Sequence, residues 1–361
     1  MKKVCLIINS LRGGGAERVA VTVANNLVQE GYDVDFLVLN LHEAIYQNKL
    51  NKKINLTNLQ KTNTRAAFLA LFMFIKRNDI TTFLVFNHQI VSMLVIIRYL
   101  MINKKFKIIS RSINTLTSKR KLEKSFWHKY IVFNIVRLLY RKSDCIIAQS
   151  SKMAEDLRIN FRISEKALFT INNPINEEAY CYKKQDTSDE KKIIFIGRLV
   201  QQKRIHDLIK AFSLMEYRFP NVKLYIFGEG PLLNDLKQLV VKSKLIDKVL
   251  FMGFTQNVYK EIASAELTAL SSYYEGFPNV LVESLAVGVP VVSYDCASGP
   301  SEIIEHGRNG FLVENGNVEM LSASFVKALN KTWDVNQIVL SSRKYSSKTI
   351  IKKYIDVIES V

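Results

Sequence analysis

A chain of 361 residues with 48% hydrophobic residues and only six prolines is folded rather than disordered. It is too long for one ordinary core, so two domains of roughly 170 residues are expected. The net charge of +18 is unevenly shared: residues 1–182 hold 28 Lys and Arg against 13 Asp and Glu, and residues 183–361 hold 23 against 20. That asymmetry predicts an anionic partner for the first half. Cys5, Cys145, Cys181 and Cys296 lie far apart with no CxxC pair, which argues against a metal cluster or a disulfide framework and for reduced cytoplasmic thiols.

Met1-Lys2-Lys3 leads straight into a strand-like run, KVCLIIN (3–9), with no secretory signal. GGGAER then makes a turn, and Ala16, Ala20, Val23, Ala24 and Leu27 recur at helical spacing over residues 16–29. Gly31 stops that helix and DVDFLVL starts a second strand. Strand–helix–strand with tight turns is the unit of a parallel sheet. The apolar region from Ile80 to Ile97 is broken by Asn87-His88-Gln89, which would sit near mid-bilayer in a spanning helix; the strand TTFLVF followed by a buried helix fits better. FKIIS (106–110), DCIIAQS (144–150) and LFTINNPI (168–175) are further strands, with a helix at 151–158. The polar, aperiodic stretch 176–191 predicts a boundary, giving a first domain at 1–178 and a linker at 179–191. The second domain, 192–345, restarts with the strand KKIIFIGRL and a helix over 205–219. KLYIFGEGP (223–231), VLFMGF, LTALSS and VPVVSY are its next strands, with helices at 232–243 and in YKEIASA. Residues 346–361 form a C-terminal helix that can cross back to the first domain.

The basic excess is densest from Arg98 to Lys142, where thirteen Lys and Arg face Glu123 alone and Phe106, Phe126, Trp127, Tyr130, Phe133 and Tyr140 are interspersed. Such a stretch suits anionic lipid headgroups or nucleic acid; the plain alternative is a solvated face around a core helix.

Glu275 and Glu283 bracket EGFPNVLVE, and an apolar helical run to Gly288 and Pro290 follows. One carboxylate falls on a turn and the other one to two turns into the next helix. Amides at a helix N-terminus suit phosphate, and carboxylates accept hydrogen bonds from sugar hydroxyls. In open parallel sheets ligands bind outside the carboxyl ends of the strands, where GGGAER, IGRL, FGEGP, SSYYEGFPN and DCASGPSE all fall. The expected architecture is α/β, with two Rossmann-like doubly wound parallel-sheet domains facing across a cleft. A dinucleotide role is disfavoured, because GGGAER is not GxGxxG and the second strand ends in Asn40-Leu41 without a ribose-binding acid.

GGGAER, IGRL with QQKR, FGEGP, EGFPNVLVES and the Gly-Val-Pro strand, in this order, resemble the retaining glycosyltransferases of the family 4 type, which carry a Glu-x7-Glu motif on the GT-B fold. GGAER with DCxSGPxEI is most similar to enzymes that extend lipid-linked bacterial surface glycans. The resemblance implies that Arg198 and Lys203, beside Gly197, bind the donor diphosphate. It gives Glu283 the ribose hydroxyls and Glu275 the donor sugar's hydroxyls. Gly228 and Gly230 would line the donor site, and the turn Gly276-Phe277-Pro278-Asn279, leading into Val280, would present backbone amides. Gly13, Gly14 and Gly15 would let the first loop approach diphosphate or acceptor without side-chain collision. Glu17 and Arg18 open the following helix, as ligand contacts or as a capping pair. Family members often carry a His or Glu in the loop after the FKIIS strand; here that loop is SRSIN (110–114), with Arg111 and Ser112 in its place. His88 is a second candidate imidazole.

His42, His128, His206 and His306 form no ligand cluster, so no metal and no cofactor beyond the donor substrate are expected. The function implied is transfer of a hexose or N-acetylhexosamine, with retention, from a UDP-sugar to a polyprenyl-diphosphate-linked saccharide in O-antigen, capsule or lipopolysaccharide biosynthesis. The implied location is cytoplasmic and peripheral, on the anionic inner face of the inner membrane, without nucleic acid. The alternatives are a non-catalytic basic binder on a degenerate fold, disfavoured by the intact Arg198, Lys203, Glu275 and Glu283, and a UDP-sugar epimerase, which GGGAER with EGFPN does not resemble.

Overall fold

Strands that are apolar along their whole length pair in parallel where helices cover both faces of a sheet. The computed structural model, which describes residues 2–113, 117, 133–185 and 190–361, contains two such sheets in two compact units. Unit 1 is Met1–Pro174 with Ser346–Val361, and unit 2 is Ile175–Tyr345. Much of the basic and aromatic stretch lies outside the described residues, including Glu123, Phe126, Trp127 and Tyr130, as do Asn114 and residues 186–189.

In unit 1 the strands are β1 (Lys3–Ile8), β2 (Asp33–Val38), β3 (Asn55–Asn58), β4 (Thr82–Val85), β5 (Lys107–Arg111), β6 (Cys145–Ala148) and β7 (Leu168–Thr170). Their spatial order is β3-β2-β1-β4-β5-β6-β7, all parallel. The chain winds outward from β1 in one direction and from β4 in the other, so the order reverses between β1 and β4. Gly31 ends the first helix at φ +87°, a left-handed conformation that favours glycine. β3 is not foreseen from the sequence: NLTN has no apolar run, and as an edge strand it needs none. β7 is three residues long where eight were expected. One side of this sheet is covered by the helices Gly15–Gln29 and Ser347–Ser360. The other carries Phe68–Arg77, His88–Leu100, Phe133–Tyr140 and Ser151–Phe161 around a separate core.

Unit 2 contains β8 (Lys191–Ile196), β9 (Val222–Phe227), β10 (Val249–Gly253), β11 (Leu267–Leu270), β12 (Val291–Tyr294) and β13 (Gly310–Val313), in the order β10-β9-β8-β11-β12-β13. Here the order reverses between β8 and β11. The helix expected over 205–219 stops at Ser213 and gives way to a 3₁₀ turn at Glu216–Arg218. Pro220 disfavours helical backbone at Phe219, and Met215 turns into the core at 1% exposure. β13 and the helices Val318–Asn330 and Val335–Ser342 extend the domain beyond the elements foreseen.

The chain changes units after Pro174, earlier than the polar stretch suggested. Residues expected as linker are docked on unit 2 instead. Ala179 is fully buried there, Lys184 pairs with Glu266 at 2.7 Å, and the Lys184 and Gln185 amides donate to Val287 and Ala263. Polarity marked solvent on one side of this segment and concealed its packing on the other.

Candidate active site

The strand order of unit 2 reverses between β8 and β11, and the carboxyl edge at such a reversal is the usual place for a ligand in an open parallel sheet. The turn after β8 carries Gly197 and Arg198, and the 3₁₀ turn Gln201–Lys203 follows. The segment after β11 carries Ser271 to Glu275. Five hydrogen bonds fasten the two together: the Tyr273 amide donates to Gln202 O (2.8 Å), Gln202 Nε2 donates to Tyr274 O (2.8 Å), Ser271 Oγ lies within 3.0 Å of the Lys203 and Arg204 carbonyls, and Lys203 Nζ donates to Glu275 Oε1 (2.6 Å). Arg204 accepts a left-handed φ of +47° to let the chain turn from the 3₁₀ segment into the next helix. Gly228 closes the floor: a Cβ there would lie 1.9 Å from the Gly197 carbonyl oxygen, so only glycine lets the FGEGP loop cross the IGRL loop. Gly230 meets Leu199 in the same way.

Glu275 is 6% exposed, and its Oε1 accepts from both Lys203 and the Ser272 hydroxyl (2.5 Å). A buried carboxylate needs such partners to stay charged. The cation on Lys203 is thereby held at the strand ends, and its stem lies near Gly197, where an added Cβ would come within ordinary contact of Lys203 Cε, at 3.6 Å. Glu283, 4% exposed, is the fifth residue of the helix Asn279–Val287, which ends at Gly288 with φ +91°. The helix begins after Pro278, so its N-terminal, positive end lies at the same edge. Pro278 has no N–H; of the turn expected to present amides, Gly276, Phe277, Asn279 and Val280 can donate and Pro278 cannot. Phe277 packs edge-on against Tyr345, and Ser298 Oγ donates to Gly276 O at 3.0 Å, which fixes the turn from behind. Cys296 is buried, and that burial, reinforced by the Glu275 charge, pushes its thiol up to about 12.

Arg198 is exposed on the same edge, and its charge reaches Tyr274, whose hydroxyl burial pushes up. Arg204 lies over the Tyr273 ring at 5.0 Å and donates to Asn315 Oδ1 at 3.3 Å. Lys203 and Glu275 are thus brought into contact, with Glu283, Gly197, Gly228, Gly230 and Arg198 on the elements around them. Ser272, Gln202 and Ser298 escaped the sequence reading, because a serine or glutamine that orients a neighbouring side chain has no spacing signature.

The remaining candidates lie in unit 1. Gly14 caps the helix Gly15–Gln29 with φ −83°, and Glu17 folds back so that its Oε2 fills the place of a Gly14 Cβ. The Arg18 amide donates to Gly14 O at 3.2 Å, and Gly13 precedes the cap. His88 opens the helix after β4, next to Asn87, whose amide donates to Asn9 Oδ1 across the β1–β4 reversal (2.8 Å). Arg111 sits at 1% exposure, donating Nε to Tyr354 Oη (2.6 Å) and Nη2 to Asn173, with Phe86 5.1 Å from its guanidinium carbon. Ser112 is also buried; its carbonyl accepts from Gln149 Nε2. Among the described residues no group of three or more His, Cys, Asp or Glu is disposed to hold a metal ion.

Residues 178–345 match the family model for glycosyl transferases group 1, and residues 13–179 that for glycosyltransferase family 4. A Campylobacter jejuni N-acetylgalactosamine-N,N'-diacetylbacillosaminyl-diphospho-undecaprenol 4-alpha-N-acetylgalactosaminyltransferase is 32% identical over 329 residues, spanning 88% of this chain and 87% of that one. Among solved structures, a lipopolysaccharide outer core galactosyltransferase superposes with a TM-score of 0.77 at 18% identity, covering 100% of this chain and 99% of its own. Anabaena HepE, in complex with UDP and glucose, superposes with a TM-score of 0.82 at 17% identity over the full length of both. At such identities the two structures speak for the fold. With both family models and the Campylobacter relative, they establish that this chain belongs to the GT-B glycosyltransferases, with a family 4 first half and a group 1 second half.

Proposed function

We propose that this transferase moves a hexose or N-acetylhexosamine from a UDP-sugar to a polyprenyl-diphosphate-linked saccharide, with retention at the anomeric carbon, in the assembly of a surface polysaccharide. The observation that carries the reading is the Lys203–Glu275 pair at the β8–β11 reversal: a cation and a hydroxyl acceptor 2.6 Å apart, beside the amides of a helix N-terminus. A nucleotide sugar presents a diphosphate next to a ring of hydroxyls, which call for a cation and a hydrogen-bond acceptor side by side. Lys203, with Arg198 on the turn before it, would take up charge on the diphosphate as the C1–O bond breaks and its electron pair passes to the phosphate oxygen. Glu275 would hold sugar hydroxyls, and Glu283 the ribose. An acceptor hydroxyl attacking the same face forms the new C1–O bond and gives its proton to the departing phosphate. His88, which opens the helix after β4 in unit 1, is that unit's proposed contribution of an imidazole. The donor class is supported by UDP in the HepE complex, and the acceptor class by the diphospho-undecaprenol in the Campylobacter relative's name. The basic first half suits an enzyme working peripherally on an anionic membrane; among the described residues no helix is long and apolar enough to cross one.

The test is incorporation of label from UDP-hexoses and UDP-N-acetylhexosamines into lipid extract, with Glu275→Ala and Lys203→Ala as controls. Transfer by the native chain and loss of at least 100-fold in both variants is expected, in line with removing a preorganised charge from a transition state. Unchanged turnover in both variants sinks the site assignment. The anomeric proton coupling of the product decides retention.

A further inference from the structure

In unit 1 the strand order reverses between β1 and β4, and ligands settle outside the carboxyl ends of the strands at such a point. Asn9 stands directly after β1, and Asn87 two residues after β4. Both are half-buried. The Asn9 carbonyl accepts from the Leu39 and Asn40 amides at 3.0 and 3.2 Å, which ties its backbone to the turn after β2.

The two ends of an asparagine amide have the same shape and opposite hydrogen-bonding sense, so the end that faces a ligand is fixed by the partners of the other. Here a backbone N–H fixes it. The Gln89 amide can only donate, and it donates to Asn87 Oδ1 at 2.7 Å. Asn87 Nδ2 is left to donate in turn, and it reaches Asn9 Oδ1 at 2.8 Å. With its oxygen taken, Asn9 presents its Nδ2. That group has no partner among the described residues and is not sealed from solvent.

We infer that Asn9 Nδ2 binds the acetamido carbonyl of an N-acetylated sugar in the acceptor, and that Asn87 is the positioning residue that turns Asn9 to do so. This rests on the lipid-linked-acceptor reading and adds to it the class of acceptor sugar. An NH2 group that only donates is best matched by an oxygen that only accepts. Of the strong acceptors on a saccharide linked through a diphosphate, the acetamido carbonyl and the phosphate oxygens meet that condition, whereas hydroxyls also donate. Phosphate calls for a cation, and the residues after the two strands, Asn9-Ser10 and Asn87-His88, include no Lys or Arg. The nearby Arg12 is engaged by the His42 carbonyl at 3.2 Å and by Glu43 at 3.9 Å. The neutral carbonyl is the better match.

The test is transfer from a UDP-sugar to short polyprenyl diphosphates carrying matched sugars, N-acetylglucosamine against glucose and N-acetylgalactosamine against galactose. The native chain should favour the acetamido member of a pair by about tenfold in kcat/KM, the worth of one hydrogen bond that the other member leaves unmade. Asn9→Asp keeps the bond from Asn87 and turns the outward atom into an acceptor. It should cost the acetamido acceptors about 100-fold and the hydroxyl acceptors far less, since a hydroxyl can donate to the new carboxylate. Asn87→Asp keeps the cap on Gln89 but offers Asn9 Oδ1 no donor, so Asn9 turns round and the same selective loss should follow with Asn9 itself intact. UDP affinity and unfolding midpoint should be unchanged in both variants. A role in packing alone would lower both members of a pair alike or shift the midpoint, and either result overturns the inference. So does a native chain that takes both members of each pair equally, or one that binds UDP and extends none of the four. A native chain that binds no UDP fails differently: the donor reading falls, and this inference with it.

Discussion

Replacing Lys203 by Met leaves Glu275 without its cation while the carboxylate stays 6% exposed and bonded to Ser272. At 2.6 Å and an effective dielectric of about 20, the lost attraction is about 6 kcal/mol before any solvation is regained. Side-chain exposures of 8% for Glu275 and 15% for Lys203 leave room for some water, so a net cost near the low end for a broken buried pair, about 3 kcal/mol, is expected. Glu275→Gln should cost only about 1 kcal/mol, because Lys203 can swing outward and the amide can still meet Ser272. The double variant should also cost about 1 kcal/mol, since no uncompensated charge remains, which gives a coupling near 3 kcal/mol. The chain has two tryptophans, and only Trp333 belongs to unit 2. In a Trp127→Phe background, its fluorescence in urea therefore reports the unit that holds the pair. The Lys203→Met loss corresponds to about 6–12 °C in midpoint for a unit of this size. Costs that simply add, with the double variant near 4 kcal/mol, would refute the electrostatic account of this site.

Gly228→Ala should destabilise unit 2 by about 3 kcal/mol or more, since its Cβ meets a backbone carbonyl and its φ is +134°; the same Trp333 melt measures it, and a shift below 1 kcal/mol contradicts the crossing of the two loops. Tyr354→Phe removes a hydroxyl that accepts from the buried Arg111, and about 1–3 kcal/mol should be lost from unit 1, read as faster proteolysis of the Ser347–Ser360 helix. Cys181 is exposed, while Cys5, Cys145 and Cys296 are buried, with the Cys145 and Cys296 thiols pushed up to about 12 by burial. A raised thiol stays protonated below that value, so at pH 8 only about one part in 10⁴ of those two is thiolate. Iodoacetamide should therefore label one cysteine in the native chain and four in urea, and native labelling at Cys296 would contradict its burial.

Most strands were legible because a parallel sheet covered on both faces demands apolar runs, and KVCLII, KKIIFI and VVSY leave no other reading. NLTN was illegible for the converse reason, since an edge strand can be polar. The Glu275–Glu283 spacing and the Gly-rich turns were visible, since both are local. What local spacing cannot carry is the meeting of side chains far apart in sequence. Lys203 and Glu275 are 72 residues apart, and their contact is made by the β8–β11 reversal rather than by either segment. Arg111 shows the limit most clearly: its position at a strand end looks like a ligand contact, while Tyr354, 243 residues on, draws its guanidinium into the interior.

The Ser347–Ser360 helix has one more effect, on the order in which the chain comes together. Ile350, Ile351, Tyr354, Val357 and Ile358 complete the core that begins with Val4 and Leu6, yet they are synthesised after all of unit 2. During translation the seven-stranded sheet must wait with one flank covered by Gly15–Gln29, without its partner helix, while the six-stranded one is made and can close. Domains ordinarily fold in the order they are made; here the unit begun first is the one finished last. Its nascent form exposes an apolar flank throughout that interval, and a chain truncated before Ser347 would keep it exposed.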